Sequence, residues 1–271
     1  MKSTFYIACH KPYWTPVHPD YQVLHVGATT SDTKLPGFRD DEGESISEKN
    51  SNYCELTGLF WIWKNDRTSD VIGLCHYRRY FAFQEPGRGI FPGSREIIAG
   101  RDFTSYLDKM INPAKLDLYL SKYDMILPTP RCFPIGIEEY YQENHIPEDW
   151  NIMKEVLNLL FPEYSSSMEK VFADKWFYPY NMFIMHRKIF DEYMPWLFSI
   201  LDEVEKRINI SQDIYQRRVF GFLAERLLNV YVYHHSFKVK EIPIIFIDEQ
   251  QESLKYKKKL FKFILRDIRR W

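Results

Sequence analysis

The sequence is poor in cysteine and has no cysteine motif. It contains four cysteines, Cys9, Cys54, Cys75 and Cys132, with no Cys-x-x-Cys pair and no histidine at metal-ligand spacing. Zinc sites and the disulfide frameworks of small secreted domains both require such spacing, so neither is indicated. The pattern predicts four buried thiols in a protein of a reducing compartment.

Long hydrophobic runs are also absent. No apolar stretch approaches the roughly 18 residues that a membrane-spanning helix needs, and Met1 to Thr4 lead directly into a predicted strand without a signal peptide. We therefore expect a cytoplasmic protein. The glycines between Gln84 and Gly100 do not lie between a strand and a helix. They argue against a dinucleotide site and predict a loop, either a lid or plain surface.

An acidic metal motif is the third absence. No Asp-x-Asp occurs in the chain, and the nearest equivalent, Asp40-x-Glu42, lies in a predicted loop before a helix. Paired carboxylates of this kind hold Mg²⁺ or Mn²⁺ against phosphates. No cofactor is therefore firmly implied, although a divalent metal on other ligands and neutralisation of a diphosphate by arginine both stay open.

The 271 residues, 45% of them hydrophobic, are enough for one sizeable core. Short apolar runs alternate with helical patterns, which predicts an α/β fold with a mostly parallel sheet covered by helices. The strands are expected at Phe5–Cys9, Tyr21–Val26, Val71–Cys75, Tyr123–Pro128, Asn181–Met185 and Val239–Ile247. We place one domain at residues 1–250 and a tail at residues 251–271.

The stretch from Ser45 to Phe81 carries the strongest functional signal. Asn52 and Glu55 have the spacing of a capping box before an amphipathic helix, so Glu55 is assigned to the cap. His76, Arg78 and Arg79 lie at the carboxyl end of the buried strand that follows, where open α/β sheets bind ligands.

Guanidinium groups suit phosphate, so His76, Arg78 and Arg79 predict a diphosphate site. Alternation along a strand places Arg78 and Arg79 on opposite sides, so we expect His76 and at least one of the two arginines to hold the diphosphate. The alternative is that an arginine pairs with a carboxylate of a neighbouring helix.

Five further residues are candidates for binding an anion or a sugar. His10 and Lys11 follow the first strand, and Lys49 and Asn50 precede the helix at Asn52, where a cation and helix amides together could hold an anion. Asn181 lies at the start of a predicted strand and could bind a sugar hydroxyl. The alternatives are a solvated helix start and an asparagine that only satisfies backbone groups.

Acid–base candidates are fewer. Asp213 precedes a helix beside two arginines and is the preferred general base, with a helix cap as the competing interpretation. His145 lies four residues before Asp149, so the two could pair, either for catalysis or only structurally. Glu225 is a weaker alternative to Asp213.

The tail is strongly basic. Residues 251–271 carry eight Lys or Arg against two acidic residues, so the tail has a formal charge of +6 and the rest of the chain −7. Apolar residues recur among the cations at helical spacing, which predicts a basic amphipathic helix on anionic lipid at residues 254–271. A disordered polybasic tail is the alternative, and the acidic body argues against nucleic acid.

Several long blocks resemble a known family of bacterial glycosyltransferases from capsular and exopolysaccharide gene clusters. The blocks are SEKNSNYCELTGLFWIWKN, IGLCHYRRYF, YDMILP, YNMFIMHRKIFDEYMPWLFSIL and RRVFGFLAERLLNV, and the resemblance extends to about residue 245. It implies a fold similar to the glycosyltransferase A (GT-A) type. His76-Tyr77-Arg78 stands where that fold usually carries Asp-x-Asp, and Asp213 occupies a place similar to the catalytic or acceptor-orienting acids.

The resemblance implies a hexosyltransferase that uses a UDP-sugar, with galactopyranosyl or galactofuranosyl favoured. Its acceptor would be a lipid-linked repeat unit of a capsule, exopolysaccharide or O-antigen. The enzyme would work as a peripheral protein on the inner face of the bacterial cell membrane. The alternative from another class is a non-catalytic nucleotide- or glycan-binding subunit of the assembly machinery.

Overall fold

The computed structural model describes residues 1–84, 96–99 and 107–247. The predicted basic helix at residues 251–271 and most of the predicted loop from Gln84 to Gly100 lie outside these residues. Within that loop, Glu96–Ala99 is a strand, so the loop prediction is wrong there.

The described part of the chain alternates strands with helices. The strands are β1 (Ser3–Cys9), β2 (Tyr21–His25), β3 (Phe38–Arg39), β4 (Val71–His76), β5 (Arg79–Phe81), β6 (Glu96–Ala99), β7 (Met125–Pro128), β8 (Arg131–Cys132), β9 (Trp176–Phe177), β10 (Phe183–His186), β11 (Val239–Ile242) and β12 (Ile244–Ile247). The helices are α1 (Asn50–Tyr53), α2 (Leu56–Asn65), α3 (Leu107–Met110), α4 (Pro113–Leu120), α5 (Ile137–Asn144), α6 (Pro147–Leu160), α7 (Ser165–Ala173), α8 (Arg187–Glu205) and α9 (Val219–His234). Pro243 separates β11 from β12, which the sequence predicted as one strand, because proline cannot donate to a strand ladder.

The main sheet has the strand order β11-β7-β10-β4-β1-β2-β3. β1 is parallel to β2 and β4, and β11 is parallel to β7. β10 runs antiparallel to both of its neighbours, β4 and β7. The predicted α/β fold with a mostly parallel sheet is therefore confirmed, and the start of β10 lies at the same edge as the carboxyl ends of β1 and β4.

Both faces of the sheet are buried. Successive residues of β1 point to opposite faces, so Phe5 and Ile7 belong to one hydrophobic cluster and Tyr6 and Ala8 to the other. Gly73 lies at the centre of β4, where a Cβ would overlap the ring of Phe5. Burial on both faces explains why the central strands read as continuous apolar runs in the sequence.

The two buried cysteines lie in the sheet, in β1 and β4. Cys9 and Cys75 are buried as predicted, whereas Cys54 is half-buried and Cys132 is exposed. All four are free thiols. In the described part of the chain, none of the helices is both long enough and apolar enough to span a membrane.

Asp40 ties three separate segments together beside the carboxyl edge of the sheet. Its fully buried carboxylate accepts hydrogen bonds from the backbone N–H groups of Gly27 (2.8 Å) and Ala28 (3.0 Å), which follow β2. It also accepts from the hydroxyls of Ser47 (2.5 Å) and Thr57 (2.6 Å), the latter in α2. A buried carboxylate is stable when its oxygens are satisfied in this way.

Replacing Asp40 should therefore destabilise the fold. In Asp40→Asn the amide group would face donors, so we expect the free energy of unfolding to fall by about 3 kcal/mol. Urea unfolding followed by circular dichroism measures the change. Asp41→Asn is the matched control, because Asp41 pairs with Arg39 near the surface; an equal loss in both variants would contradict this account.

Candidate functional site

The first wall of the site comes from a break between α1 and α2. Cys54 has φ 53° and ψ −130°, a conformation that a non-glycine residue rarely adopts, and it ends α1 after Tyr53. Glu55 precedes α2 without capping it through its side chain. The predicted capping box of Asn52 and Glu55 is therefore wrong, because the helix is interrupted between the two residues.

The second wall is a tight turn between β4 and β5. His76 pairs with Arg79 across this antiparallel turn, which leaves Tyr77 and Arg78 at its tip. The chain reverses here instead of continuing as one strand, so strict alternation does not apply. Arg78 and Arg79 consequently both line the same cleft, and the prediction that they face opposite sides is wrong.

The floor is made where the chain enters β10. Tyr180 (φ 79°) and Asn181 (φ 52°) both have left-handed backbone conformations. The backbone carbonyl of Tyr180 accepts a hydrogen bond from His76 Nε2 (2.7 Å), and the backbone N–H of Tyr180 donates to Glu225 Oε1 (3.0 Å). The buried Asn181 donates from Nδ2 to Glu55 Oε1 (2.7 Å) and to the carbonyl of Gly221 (3.2 Å).

These segments enclose a cleft of about 680 Å³ at the carboxyl ends of β1, β2 and β4. Its lining contains four arginines, Arg78, Arg79, Arg217 and Arg218, and one carboxylate, Glu55. The remaining lining is Ala8, His10, Val26, Asn50, Ser51, Cys54, His76, Tyr77, Ile214 and Phe246. The cleft is thus strongly cationic although the whole chain has a formal charge of −1.

Two of the arginines are held in place without neutralisation by a carboxylate. The guanidinium of Arg79 stacks on Tyr180 (4.4 Å to the ring centroid) and Phe246 (5.2 Å), and its Nε is buried with no hydrogen-bond partner among the described residues. Arg218 donates from Nε to Cys54 Sγ (3.3 Å). Guanidinium groups in this state keep donors available for an anionic ligand.

His76 is an uncharged member of the site. Burial lowers its pKa to about 3, and the charge of Arg79 acts in the same direction. Because a carbonyl oxygen can only accept, Nε2 carries the proton that is donated to Tyr180. His76 therefore contributes no positive charge at neutral pH, and its Nδ1 is an acceptor.

The structure brings together half of the candidate residues named from the sequence. Those that line the cleft are His10, Asn50, His76, Arg78 and Arg79, and those outside its lining are Lys11, Lys49, Asn181, Asp213 and His145. Lys49 forms an ion pair with Glu205 (2.6 Å) on α8. The Nζ of Lys11 lies 5.6 Å from the ring of Tyr77.

The two predicted catalytic residues have structural partners. Asp213 is exposed, and its Oδ1 accepts from the backbone N–H groups of Tyr215 and Gln216, both at 2.9 Å. His145 Nδ1 contacts Gln216 Oε1 (3.2 Å) rather than Asp149, and its ring packs on Phe222. Burial lowers the pKa of His145 to about 4, so this ring is also neutral.

A larger concavity of about 850 Å³ lies beside β11, lined among others by Trp176, Tyr178, Tyr233 and Glu241. The described residues that line it include no lysine or arginine and two acidic residues. An anionic ligand is repelled by such a surface. The smaller cationic cleft is therefore the candidate site for a phosphate-containing ligand.

Comparison with known proteins identifies the family. A family model described as a domain of unknown function, DUF4422, matches residues 4–236. The chain belongs to this family. The search of curated protein sequences gave no match.

One solved structure resembles this DUF4422 chain closely. It is the apo structure of WbbM, described as a bifunctional glycosyltransferase, with a TM-score of 0.85 and 30% sequence identity. The match covers 92% of this chain and 46% of the WbbM chain, so this chain spans less than half of that protein. The family and the GT-A-like fold expected from the sequence are thereby confirmed.

The donor set of the DUF4422 cleft does not fit a divalent cation. The GT-A resemblance implies a metal held by carboxylates, yet the turn at that place carries His76 and Arg78. Among the described residues, no three His, Cys, Asp or Glu side chains are grouped so that they could hold a metal ion. The positive charge of the cleft comes instead from the four arginines of its lining.

The sequence analysis missed three residues of the DUF4422 site. Glu55 was assigned to a helix cap, and Glu225 was ranked below Asp213. Arg218 was noted only as a neighbour of Asp213. A signal did exist for Arg218, because two consecutive arginines before a strongly apolar helix are unusual, whereas nothing local to Glu55 indicated its contact with Asn181, 126 positions away.

The neutral state of His76 gives a testable pH dependence. Its folded pKa is about 3, below the 6.5 of an unfolded histidine, so the unfolded chain binds more protons between these values and stability must fall as pH falls from 6.5. His76→Gln should reduce that decrease between pH 7 and pH 5, measured by urea unfolding. If the free energy of unfolding of His76→Gln changed with pH as steeply as that of the wild type, the neutral state of His76 would be contradicted. His18→Gln is the control, because His18 lies near the surface.

Proposed function

We propose that this protein is a glycosyltransferase that binds a nucleoside-diphosphate sugar in the cationic cleft. The observation that carries the proposal is the set of four arginines at the carboxyl edge of a GT-A-like sheet. Ligands of open α/β sheets bind at this edge. The similarity to a structure described as a glycosyltransferase supports the same function.

The cleft suits the leaving group of such a reaction. When the bond between the anomeric carbon and the diphosphate breaks, the electron pair and the negative charge stay on the diphosphate. Preorganised guanidinium groups stabilise a charge that develops at a fixed place. Arg79 and Arg218 would hold the diphosphate, with Arg78 at the tip of the β4–β5 turn beside it.

For the donor we propose a UDP-hexose, with galactose in pyranose or furanose form favoured by the family resemblance. Aromatic side chains beside the arginines offer a surface for the base. The rings of His10 and Tyr77 meet edge to face at 5.0 Å, and the rings of Tyr13 and Tyr77 meet edge to face at the same distance. Aromatic faces of this kind stack on bases.

A donor panel tests the function directly. Purified protein is incubated with UDP-hexoses, and release of UDP by slow hydrolysis is measured together with the thermal shift produced by UDP. We expect stabilisation by UDP and turnover of at least one donor. Stabilisation by UDP without any turnover would favour the non-catalytic binding subunit. The absence of both stabilisation and turnover would contradict the proposal.

Arg79 should be the most sensitive arginine for donor binding. Arg79→Gln removes a guanidinium that has no carboxylate partner, so we expect the affinity for UDP to fall at least about tenfold, because charge-assisted hydrogen bonds are lost. Isothermal titration calorimetry measures the change. Arg207→Gln is the control, because Arg207 follows the end of α8 and pairs with Glu203 at the surface; equal affinity in both variants would refute the assignment.

For the acceptor we propose a lipid-linked glycan of a capsule, exopolysaccharide or O-antigen, reached from the inner face of the cell membrane. The basic tail supports this proposal because cations interleaved with apolar residues bind anionic lipid surfaces. The charge of +6 over residues 251–271 is the relevant quantity.

Deletion of residues 254–271 tests the membrane proposal. The truncated protein should lose binding to vesicles that contain anionic phosphatidylglycerol, while hydrolysis of the donor stays unchanged. Vesicle sedimentation at low and high salt measures the binding, and vesicles of neutral lipid are the control. Retained binding to the anionic vesicles would contradict the role of the tail.

A further inference from the structure

Among the described residues, Glu55 is the one carboxylate in the lining of a cleft that contains four arginines. It is placed there by the break at Cys54, whose left-handed φ of 53° interrupts the helix directly before it. Backbone strain of this kind occurs preferentially at functional sites. The segment therefore holds Glu55 in the cleft at an energetic cost that a simple helix would avoid.

One oxygen of the Glu55 carboxylate is held by Asn181. Oε1 accepts from Asn181 Nδ2 (2.7 Å), and Asn181 is itself anchored on the carbonyl of Gly221. No other side chain of the described residues forms a hydrogen bond or an ion pair with Glu55. Asn181 and a backbone hydrogen bond at Glu55 itself orient the carboxylate, and Glu55 belongs to the cleft lining, where a ligand can reach it.

Arg79 and Arg218 lie near Glu55 without pairing with it, so the arginines can bind an anion while Glu55 accepts a proton. Arg79 and Arg218 lie close enough to influence its pKa, yet neither forms an ion pair with it. Burial raises the pKa of Glu55, and the hydrogen bond from Asn181 and the two arginines oppose this effect only in part. A buried carboxylate with a raised pKa is a stronger base than an exposed one.

Glu225 is the second buried carboxylate of this region, but its oxygens are already occupied. Oε1 accepts from the N–H of Tyr180, and Oε2 forms an ion pair with Arg226 (3.1 Å). Glu225 is not part of the cleft lining. Its role is to position the turn that carries Asn181, which leaves Glu55 as the reactive carboxylate.

We propose that Glu55 is the general base of the glycosyl transfer, an inference that rests on the proposed function. The acceptor oxygen forms a bond to the anomeric carbon, and the bond from that carbon to the diphosphate breaks with its electron pair leaving on the diphosphate. The proton of the acceptor hydroxyl passes to the Glu55 carboxylate and later to solvent. Arg79 and Arg218 hold the departing diphosphate.

Glu55→Gln is the decisive variant because glutamine keeps the size of the side chain and an oxygen for Asn181. With a UDP-hexose that the wild-type protein hydrolyses, we expect hydrolysis to fall at least about 100-fold, since general-base catalysis contributes 10²–10⁴-fold. The thermal shift produced by UDP should stay unchanged. Glu203→Gln, a surface carboxylate paired with Lys206 and Arg207 on α8, is the control.

Azide as the acceptor separates a base from a donor-binding group. Azide has no proton to lose, so Glu55→Gln should form the glycosyl azide at close to the wild-type rate. Loss of azide transfer together with hydrolysis would overturn the inference, as would hydrolysis retained to within about threefold of the wild type. Product analysis by NMR measures both reactions.

The remaining outcomes separate the inference from the proposed function. Asp213→Asn is made alongside, because the sequence assigned the base to Asp213; loss of transfer in that variant with full activity in Glu55→Gln would overturn the inference alone. Wild-type protein that turns over none of the donors would overturn the proposed function and this inference together.

Discussion

The site depends on the turn at Tyr180 and Asn181, where the chain enters the antiparallel strand β10. Two consecutive left-handed residues allow this turn to present a carbonyl to β4, an amide side chain to the break between α1 and α2, and an N–H to α9. Left-handed backbone is unfavourable for residues other than glycine, so the surrounding hydrogen bonds must maintain it. The cleft is consequently built by contacts between distant segments rather than by one motif.

Electrostatics in the cleft follow from burial as much as from composition. Burial lowers the pKa values of His76 and His10, the two histidines of the described lining, so the positive charge at neutral pH belongs to arginine, whose charge is insensitive to pH. This is a different solution from the carboxylate-bound metal that the GT-A resemblance implies. A guanidinium also has directional donors, so it can fix the orientation of a phosphate as well as its charge.

The sequence predicted the elements of the fold well because their signals are local. Strands buried on both faces read as apolar runs, and the carboxyl edge of the sheet could be inferred from β1 and β4 alone. The prediction therefore placed His76, Arg78 and Arg79 correctly at the carboxyl edge of the sheet. Their arrangement was not predictable, since the reversal between β4 and β5 has no glycine or proline to mark it.

Glu55 shows why the rest could not be predicted. Asn52 and Glu55 match a capping box, and only the left-handed Cys54, stabilised by contacts with other segments, prevents that local structure. Asn50 supports the break by donating from Nδ2 to the carbonyl of Cys54 (2.7 Å). A local pattern was overruled by tertiary contacts, which is the expected origin of errors at functional sites.

The sequence separation between the two sides of the cleft has a consequence for synthesis of the chain. Glu55 and the β4–β5 turn with its arginines are synthesised early, whereas Asn181 follows Glu55 by 126 positions. Strand β10, which comes directly after Asn181, lies between β4 and β7 and completes the sheet. Contacts of such long range form slowly, because the entropy of closing the loop must be overcome first. A nascent chain that has emerged only through β7 therefore has Arg78, Arg79 and Glu55 but lacks Arg218 and the floor at Asn181, so the cleft is completed only late in folding.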